Sequence, residues 1–108
     1  MCRKATGGVI ATYAGFPVAD VRLEQGRIKY YRSSKWLERG FCQRCGTALA
    51  SRYPDDPARI WLTLGCMDEP ARLKPTRHIF AADRVKWLRL DDGLPRHRTR
   101  RQRGRRPR

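Results

Sequence analysis

Two cysteines near the middle of the sequence have the spacing of metal ligands. Cys42 and Cys45 are separated by two residues in the segment FCQRCG at positions 41–46. Two thiolates at this spacing can bind one Zn²⁺ at about 2.3 Å each, because a tight turn directs both sulfur atoms inward. Gly46 follows the second cysteine and tolerates the positive φ angle that such a turn often needs. The segment therefore predicts half of a tetrahedral zinc site.

Spacing alone does not assign the other ligands of such a site. The remaining cysteines are Cys2 and Cys66, the histidines are His78 and His97, and none of them forms a second C-x-x-C or H-x₃₋₅-H pair. We interpret Cys66 as a small buried residue at the end of an apolar strand. His78 is interpreted as a structural residue, and His97 as a residue without a specific role.

Two other interpretations of Cys42 and Cys45 stay open. A thioredoxin-like redox pair needs a helix after the cysteines, because the helix N-terminus lowers the pKa of the reactive thiol. Residues 46–50 instead continue as a plausible strand, which disfavours this interpretation. The two residues could also be ordinary buried thiols at a turn. A reducing compartment favours metal binding or reactive thiols over disulfides.

Alternation of apolar and polar residues predicts a mainly β protein around these cysteines. No segment has an apolar stripe at helical spacing over about ten or more residues. Short strands between turn-rich segments favour an antiparallel sheet. A single helical turn is predicted at 67–70, before Pro75 interrupts it. The predicted strands are 9–13, 27–32, 36–41, 48–53, 60–64 and 85–90.

The positive charge of the chain is large and unevenly distributed. The 108 residues include 25 Lys and Arg against 10 Asp and Glu, which gives a formal net charge of +15. Eight of the arginines lie in residues 95–108, a segment without any acidic residue. Such a segment buries too little apolar surface to offset the entropy lost on ordering. We therefore predict one folded domain at 1–94 and a disordered basic tail at 95–108.

Composition also excludes several classes of protein. No apolar run approaches the ~20 residues that a membrane-spanning helix needs. The first eight residues, MCRKATGG, lack the apolar stretch of a secretory signal. These features predict a cytoplasmic protein without a membrane partner.

Several segments, taken in order, resemble the glutathione-dependent formaldehyde-activating enzyme family, which is also called the GFA or CENP-V/GFA domain family. Each segment alone is weak evidence, but their order and spacing match the family over residues 2–95. The segments are CRKATG at 2–7, FCQRCGT at 41–47, GCMDEP at 65–70, PTRHI at 75–79, WL at 87–88 and DDGLP at 91–95.

The resemblance implies a compact antiparallel-sheet fold of the Mss4-like type with two zinc sites. In the family, an early C-x-C pair and the later F-C-x-x-C-G segment bind a structural zinc, and the cysteines of a C-H-C-x-x-C segment bind a catalytic zinc. Cys42 and Cys45 match half of the structural site. Cys2 matches the last cysteine of the catalytic segment. The position of Cys66 usually holds a small residue in the family.

The family pattern would place the first hairpin and the other zinc ligands before Met1. The resemblance therefore implies an N-terminally truncated domain, with the first hairpin missing and both Zn²⁺ sites incomplete. Loss of that hairpin predicts an unpaired sheet edge and exposed apolar surface beside residues 9–13, which would favour aggregation or dimerisation.

The function implied by the resemblance is that of a zinc-dependent carbon–sulfur lyase. Such an enzyme makes or breaks the adduct of a small thiol, such as glutathione, with an aldehyde, as in S-hydroxymethylglutathione. Cys2 would be the remnant of the catalytic zinc site. Arg3 and Lys4 could attract the carboxylates of glutathione or could be solvated surface charge. The alternative is a non-catalytic, degenerate module that binds nucleic acid or another polyanion through its arginine-rich tail.

Overall fold

The computed structural model describes residues 2–98, with side chains from residue 4 onward. These residues form two units, one of residues 11–73 and one that combines residues 2–10 with residues 74–98. The predicted disorder of residues 99–108 and the predicted zinc ligation by the Cys2 side chain lie outside the described residues. None of the helices in the described residues is long and apolar enough to cross a membrane.

An antiparallel sheet of five strands forms the unit of residues 11–73. Across the sheet the strands follow the order β1-β5-β4-β3-β2, so β2 to β5 make a meander and β1 pairs with the far side of β5. This arrangement confirms the prediction of a mainly β, antiparallel fold. The strands are β1 (Tyr13–Pro17), β2 (Ile28–Arg32), β3 (Glu38–Cys42), β4 (Ala48–Arg52) and β5 (Arg59–Thr63).

Close packing between β2 and β3 depends on Gly40, in the middle of β3. The strand register pairs Gly40 with Tyr30 on one side and with Ala50 on the other. A Cβ atom at position 40 would lie 2.6 Å from Cγ2 of Ile28 and 2.9 Å from Cε1 of Tyr30. The missing side chain therefore lets these two β2 side chains pack directly over β3. A register shift follows between Gly40 and Phe41, just before the strand reaches Cys42.

The buried core of the described residues is small. None of the side chains from residue 4 to residue 98 is completely buried. The side chains of the sheet therefore cover one another only in part. The buried residues with side chains are Leu37, Ala50, Ser51, Ile60 and Leu64.

The second unit contains the short helix α1 (Cys2–Thr6) and a 3₁₀ helix (Ala81–Asp83). Backbone hydrogen bonds join two of its segments. The His78 N–H donates to the carbonyl of Pro95 at 2.8 Å, and the His97 N–H donates to the carbonyl of His78 at 2.8 Å. The first residues of the predicted tail, 95–98, are thus hydrogen-bonded to residues 78–82.

The predicted strands agree with the structure in the centre of the chain and differ at both ends. Those at 27–32, 36–41, 48–53 and 60–64 are confirmed as β2 to β5, with ends that shift by one or two residues. The strand predicted at 9–13 is displaced, because β1 begins at Tyr13. β1 is an edge strand of the described sheet, and Val9 and Ile10 are exposed, in agreement with the exposed apolar surface predicted there.

The prediction of a strand at 85–90 is wrong. The backbone turns at this point, because the Leu88 N–H donates to the carbonyl of Val85 at 2.9 Å. The Trp87 side chain is 70% exposed, so the expected apolar face does not form. The helical turn predicted at 67–70 begins later, as a 3₁₀ helix at Pro70–Arg72.

Candidate metal centre

The turn between β3 and β4 brings Cys42 and Cys45 together. The Gly46 N–H donates to the carbonyl of Cys42 at 2.8 Å, and the Cys42 N–H donates to the carbonyl of Thr47 at 2.9 Å. Gly46 has a φ of 78°, the left-handed conformation that a glycine adopts without a steric penalty. These bonds close the turn tightly after β3. We call residues 42–47 the cysteine knuckle.

The sulfur of Cys45 is in an environment that favours the thiolate. It lies 3.0 Å from Oγ1 of Thr47 and is exposed, whereas Cys42 is half-buried. Hydrogen bonds from the Thr47 hydroxyl and backbone, and then from the Cys42 thiol, lower the pKa of the Cys45 thiol. The charge of Arg44 acts in the same direction, while burial opposes it. A readily formed thiolate is both the form that binds zinc and the reactive form of cysteine.

The cysteine knuckle fits half of a zinc site. Zinc prefers thiolate sulfur in tetrahedral sites, and the knuckle offers two free thiols on one tight turn. In the part of the chain that the structure describes, no group of three or more His, Cys, Asp and Glu side chains is placed to hold a metal ion. The structure thus joins Cys42 to Cys45 and assigns no further ligand. Cys2 begins α1, and its side chain is outside the described residues.

Cys66 is exposed, so the prediction that it is buried at the end of a strand is wrong. It closes a 3₁₀ helix (Leu64–Cys66) that follows β5. Its sulfur lies 2.9 Å from Oγ1 of Thr63 and donates to the Thr63 carbonyl at 3.2 Å. The Thr63 hydroxyl also donates to the carbonyl of Ala48 at 2.8 Å. These contacts give Cys66 a local role at the end of β5.

His78 has the structural role that was predicted, through a partner that the sequence analysis missed. Its Nε2 atom lies 2.8 Å and 3.0 Å from the two carboxylate oxygens of Asp92, and its side chain is only 16% exposed. The Leu94 N–H also donates to Asp92, and this bond, followed by the contact with His78, lowers the pKa of the Asp92 carboxyl. The pair joins two segments of the second unit.

Sequence reasoning also missed Thr47 as part of the knuckle. A hydroxyl residue two positions after the second cysteine is the available signal, because its side chain can turn back toward that sulfur. The spacing was visible in FCQRCGT at 41–47. Its effect on the Cys45 thiol depends on the turn geometry, which only the structure gives.

Comparison with known proteins supports the resemblance seen in the sequence. The family model described as glutathione-dependent formaldehyde-activating enzyme matches residues 1–83, which is most of the chain and includes the cysteine knuckle. No curated protein matches the sequence. The match covers α1, all five strands and the segment that contains His78. The chain therefore belongs to the glutathione-dependent formaldehyde-activating enzyme family.

Proposed function

We propose that this chain is a zinc-dependent carbon–sulfur lyase that makes or breaks the adduct of a small thiol with an aldehyde. The family description names glutathione and formaldehyde, so S-hydroxymethylglutathione is the corresponding adduct. The observation that carries the proposal is the match of residues 1–83 to this family. The pair of cysteines on one tight turn supports the zinc dependence.

In this proposal the cysteine knuckle has a structural role. Cys42 and Cys45 would bind a Zn²⁺ ion that stabilises the β3–β4 turn. The hydrogen bonds of Cys42 and Gly46 already fix the turn, so little conformational entropy is lost when the thiolates bind. The Thr47 contact lowers the pKa of the Cys45 thiol and so favours the deprotonated form that zinc requires.

The reaction itself is assigned to a second site, to which Cys2 would contribute a ligand by its match to the family pattern. A zinc ion bound there would supply Lewis acidity toward an aldehyde oxygen and would favour the thiolate of the substrate. In the forward direction the substrate thiol loses its proton, its sulfur bonds to the carbonyl carbon as the C=O π bond breaks, and the oxygen takes up a proton. The reverse direction breaks the same bond. Lys4 is exposed on α1, where its charge would attract the carboxylates of glutathione.

Thermal unfolding with and without added Zn²⁺ tests the structural part of the proposal. Zinc should raise the melting temperature of the wild-type chain, because an ion that binds only the folded state stabilises it. Cys42→Ser and Cys45→Ser should each remove this rise. Cys66→Ser is the matched control, since Cys66 is an exposed thiol outside the knuckle, and it should keep the rise. A rise that persists in Cys42→Ser and Cys45→Ser would contradict zinc binding at the knuckle.

Turnover of glutathione and formaldehyde tests the catalytic part. The chain should form the adduct faster than the spontaneous reaction, and Cys2→Ser should abolish the excess rate. The same variant should keep the zinc-dependent rise in melting temperature, because Cys42 and Cys45 are unchanged. A rate equal to the spontaneous one, measured on zinc-loaded wild-type protein, would exclude the lyase activity.

A further inference from the structure

The β2–β3 hairpin exposes two aromatic side chains that the fold does not use in its core. Tyr31 on β2 is 66% exposed, and Trp36 in the following loop is 62% exposed. Exposed aromatic rings close together in a chain are a common mark of a binding surface. We call residues 27–39 the hairpin surface.

The hairpin surface is strongly basic. Its single acidic residue is Glu38, whose carboxylate is bound by Arg52 at 2.9 Å. Lys29 and Lys35 have no carboxylate partner among the described residues. The positive charge of the hairpin is therefore mostly uncompensated. The basic residues are Arg27, Lys29, Arg32, Lys35 and Arg39.

Cations and aromatic rings are interleaved on this surface. Lys29 and Tyr31 are two residues apart on one strand, so their side chains leave the same face of the sheet. The strand register places Arg39 directly across from Tyr31. In the loop, Nζ of Lys35 lies 4.7 Å from the centre of the Trp36 ring. Trp36 thus has a cation beside its ring, and Tyr31 has a cationic residue opposite it in the ladder.

We propose that the hairpin surface binds a single strand of nucleic acid. Bases would stack on Tyr31 and Trp36, and phosphates would pair with Lys29 and Lys35. Aromatic platforms beside cations are how proteins bind single strands with little sequence preference. A duplex offers phosphates to the cations but keeps its bases stacked on one another, and an acidic peptide offers no nucleobases to stack on the rings.

The exposed rings of this surface lie at the other end of the β2–β3 ladder from the cysteine knuckle: Tyr31 pairs with Arg39, whereas Ile28 pairs with Cys42. Both are attached to β3, but Glu38 begins the strand and Cys42 ends it. The surface is also distinct from the arginine-rich segment at 99–108, which contains no aromatic residue. The proposal consequently does not depend on zinc binding or on lyase activity.

Fluorescence anisotropy with a labelled oligothymidylate of about 12 nucleotides tests the stacking, because single-strand sites span roughly 4–16 nucleotides. Tyr31→Ala and Trp36→Ala in the full chain should each weaken binding about tenfold. Trp87→Ala is the matched control, since Trp87 is 70% exposed and lies outside the hairpin, and it should leave the affinity unchanged. Tyr31→Phe and Trp36→Phe keep a ring and should retain most of the affinity.

The salt dependence of the same titration tests the phosphate contacts. Replacing Lys29 and Lys35 together by Gln should reduce the slope of log affinity against log salt by about 1.4, because each phosphate contact on a single strand contributes about 0.7. The control replaces Lys74 and Lys86, which are also exposed, and should leave the slope unchanged.

Three results would overturn the proposal. The first is equal affinity of Tyr31→Ala, Trp36→Ala and Trp87→Ala for the oligonucleotide. Binding would then depend on charge alone, including that of residues 99–108. The second is binding of a duplex of the same length at least as tightly as the single strand. The third is that polyglutamate displaces the oligonucleotide and that its own binding requires Tyr31 and Trp36. This result would identify an acidic peptide as the partner.

Discussion

The two turns at opposite ends of β3 are built by similar means and present very different chemistry. At the end of the strand, backbone bonds between Cys42, Gly46 and Thr47 close the cysteine knuckle. At its start, the N–H groups of Ser33 and Ser34 donate to the carbonyl of Leu37 at 3.0 Å and 3.3 Å. One turn directs thiols toward each other, whereas the other leaves rings and cations exposed.

The difference shows that the two regions depend on different properties of the fold. A thiol pair works only if the sulfur atoms are held at fixed distances, so the knuckle depends on local turn geometry. A basic, aromatic surface needs exposure and a stable strand beneath it, so the hairpin surface depends on how β2 packs over β3. Substitutions in β3 and in its two turns should therefore show whether the two regions are affected together or independently.

Gly40→Ala should have the largest effect and should damage both regions. The added Cβ would overlap Ile28 and Tyr30 and would press against Ala50, at 3.3 Å. Overpacking of this kind costs about 1–3 kcal/mol, which urea unfolding would measure. Gly65→Ala is the control, because nothing lies within 4 Å of a Cβ there, and its stability should stay near wild type. Equal stability of the two variants would show that β2 can move away from β3 at little cost.

Gly46→Ala should act on the cysteine knuckle alone. No atom lies within 4 Å of a Cβ at this position, so the expected cost of about 1 kcal/mol comes only from forcing φ of 78° on a residue with a side chain. Urea unfolding should show this loss, and the zinc-dependent rise in melting temperature should shrink. Binding of the oligothymidylate should not change, and a parallel loss of that binding would argue against independent regions.

Glu38→Ala should act on the hairpin end alone and more weakly. It removes the ion pair with Arg52, whose side chain is 44% exposed, so the expected loss is about 0.2–1 kcal/mol. Glu24→Ala is the control, since its pair with Arg22 is more exposed and longer, at 3.5 Å, and no loss is expected. Removal of the hairpin's acidic residue should tighten oligonucleotide binding at low salt.

Thr47→Val should change the reactivity of the Cys45 thiol and should have the smallest effect on stability. The substitution keeps the shape of the side chain and removes the hydroxyl that lowers the pKa of the Cys45 thiol most. Without it the thiol pKa rises, so the thiolate forms at higher pH. Alkylation of zinc-free protein, followed by mass spectrometry at several pH values, should show Cys45 reacting only at higher pH than in the wild type.

Thr63→Val is the control for that experiment. The Thr63 hydroxyl donates to the Cys66 sulfur at 2.9 Å, a contact of nearly the same length as the 3.0 Å contact between Thr47 and Cys45. This variant should leave the pH dependence of Cys45 alkylation unchanged. An unchanged profile in Thr47→Val would mean that the hydroxyl does not stabilise the thiolate.

The sequence predicted the central strands well because each has an internal signal. Alternating side chains in β2 and β5 and the turn residues between strands place these elements to within two residues. The segment at 85–90 has weaker alternation, and there the turn between Val85 and Leu88 replaces a ladder. The start of β1 was misplaced because its pairing partner, β5, is far away in sequence.

The candidate site shows the same contrast between features with a local sequence signal and features that depend on the pairing of distant segments. Spacing identified Cys42 and Cys45, since both ligands lie on one turn. It gave no sign that Asp92 contacts His78 across fourteen residues, because that contact depends on how two segments pair. Cys66 was assigned the wrong environment, because the chain bends into a 3₁₀ helix after β5 rather than continuing as a buried strand.

By itself the sequence determined the family, because several short segments follow one another in the family's order and spacing. It also determined the mainly β fold and the two-cysteine turn, because these depend on residues close together in the chain. Only the tertiary structure decided that Tyr31 and Trp36 stay exposed beside cations, that Gly40 is required beneath Tyr30, and that Thr47 favours the Cys45 thiolate. Exposure, close packing and pKa depend on which atoms meet in space, and periodicity and spacing do not specify those contacts.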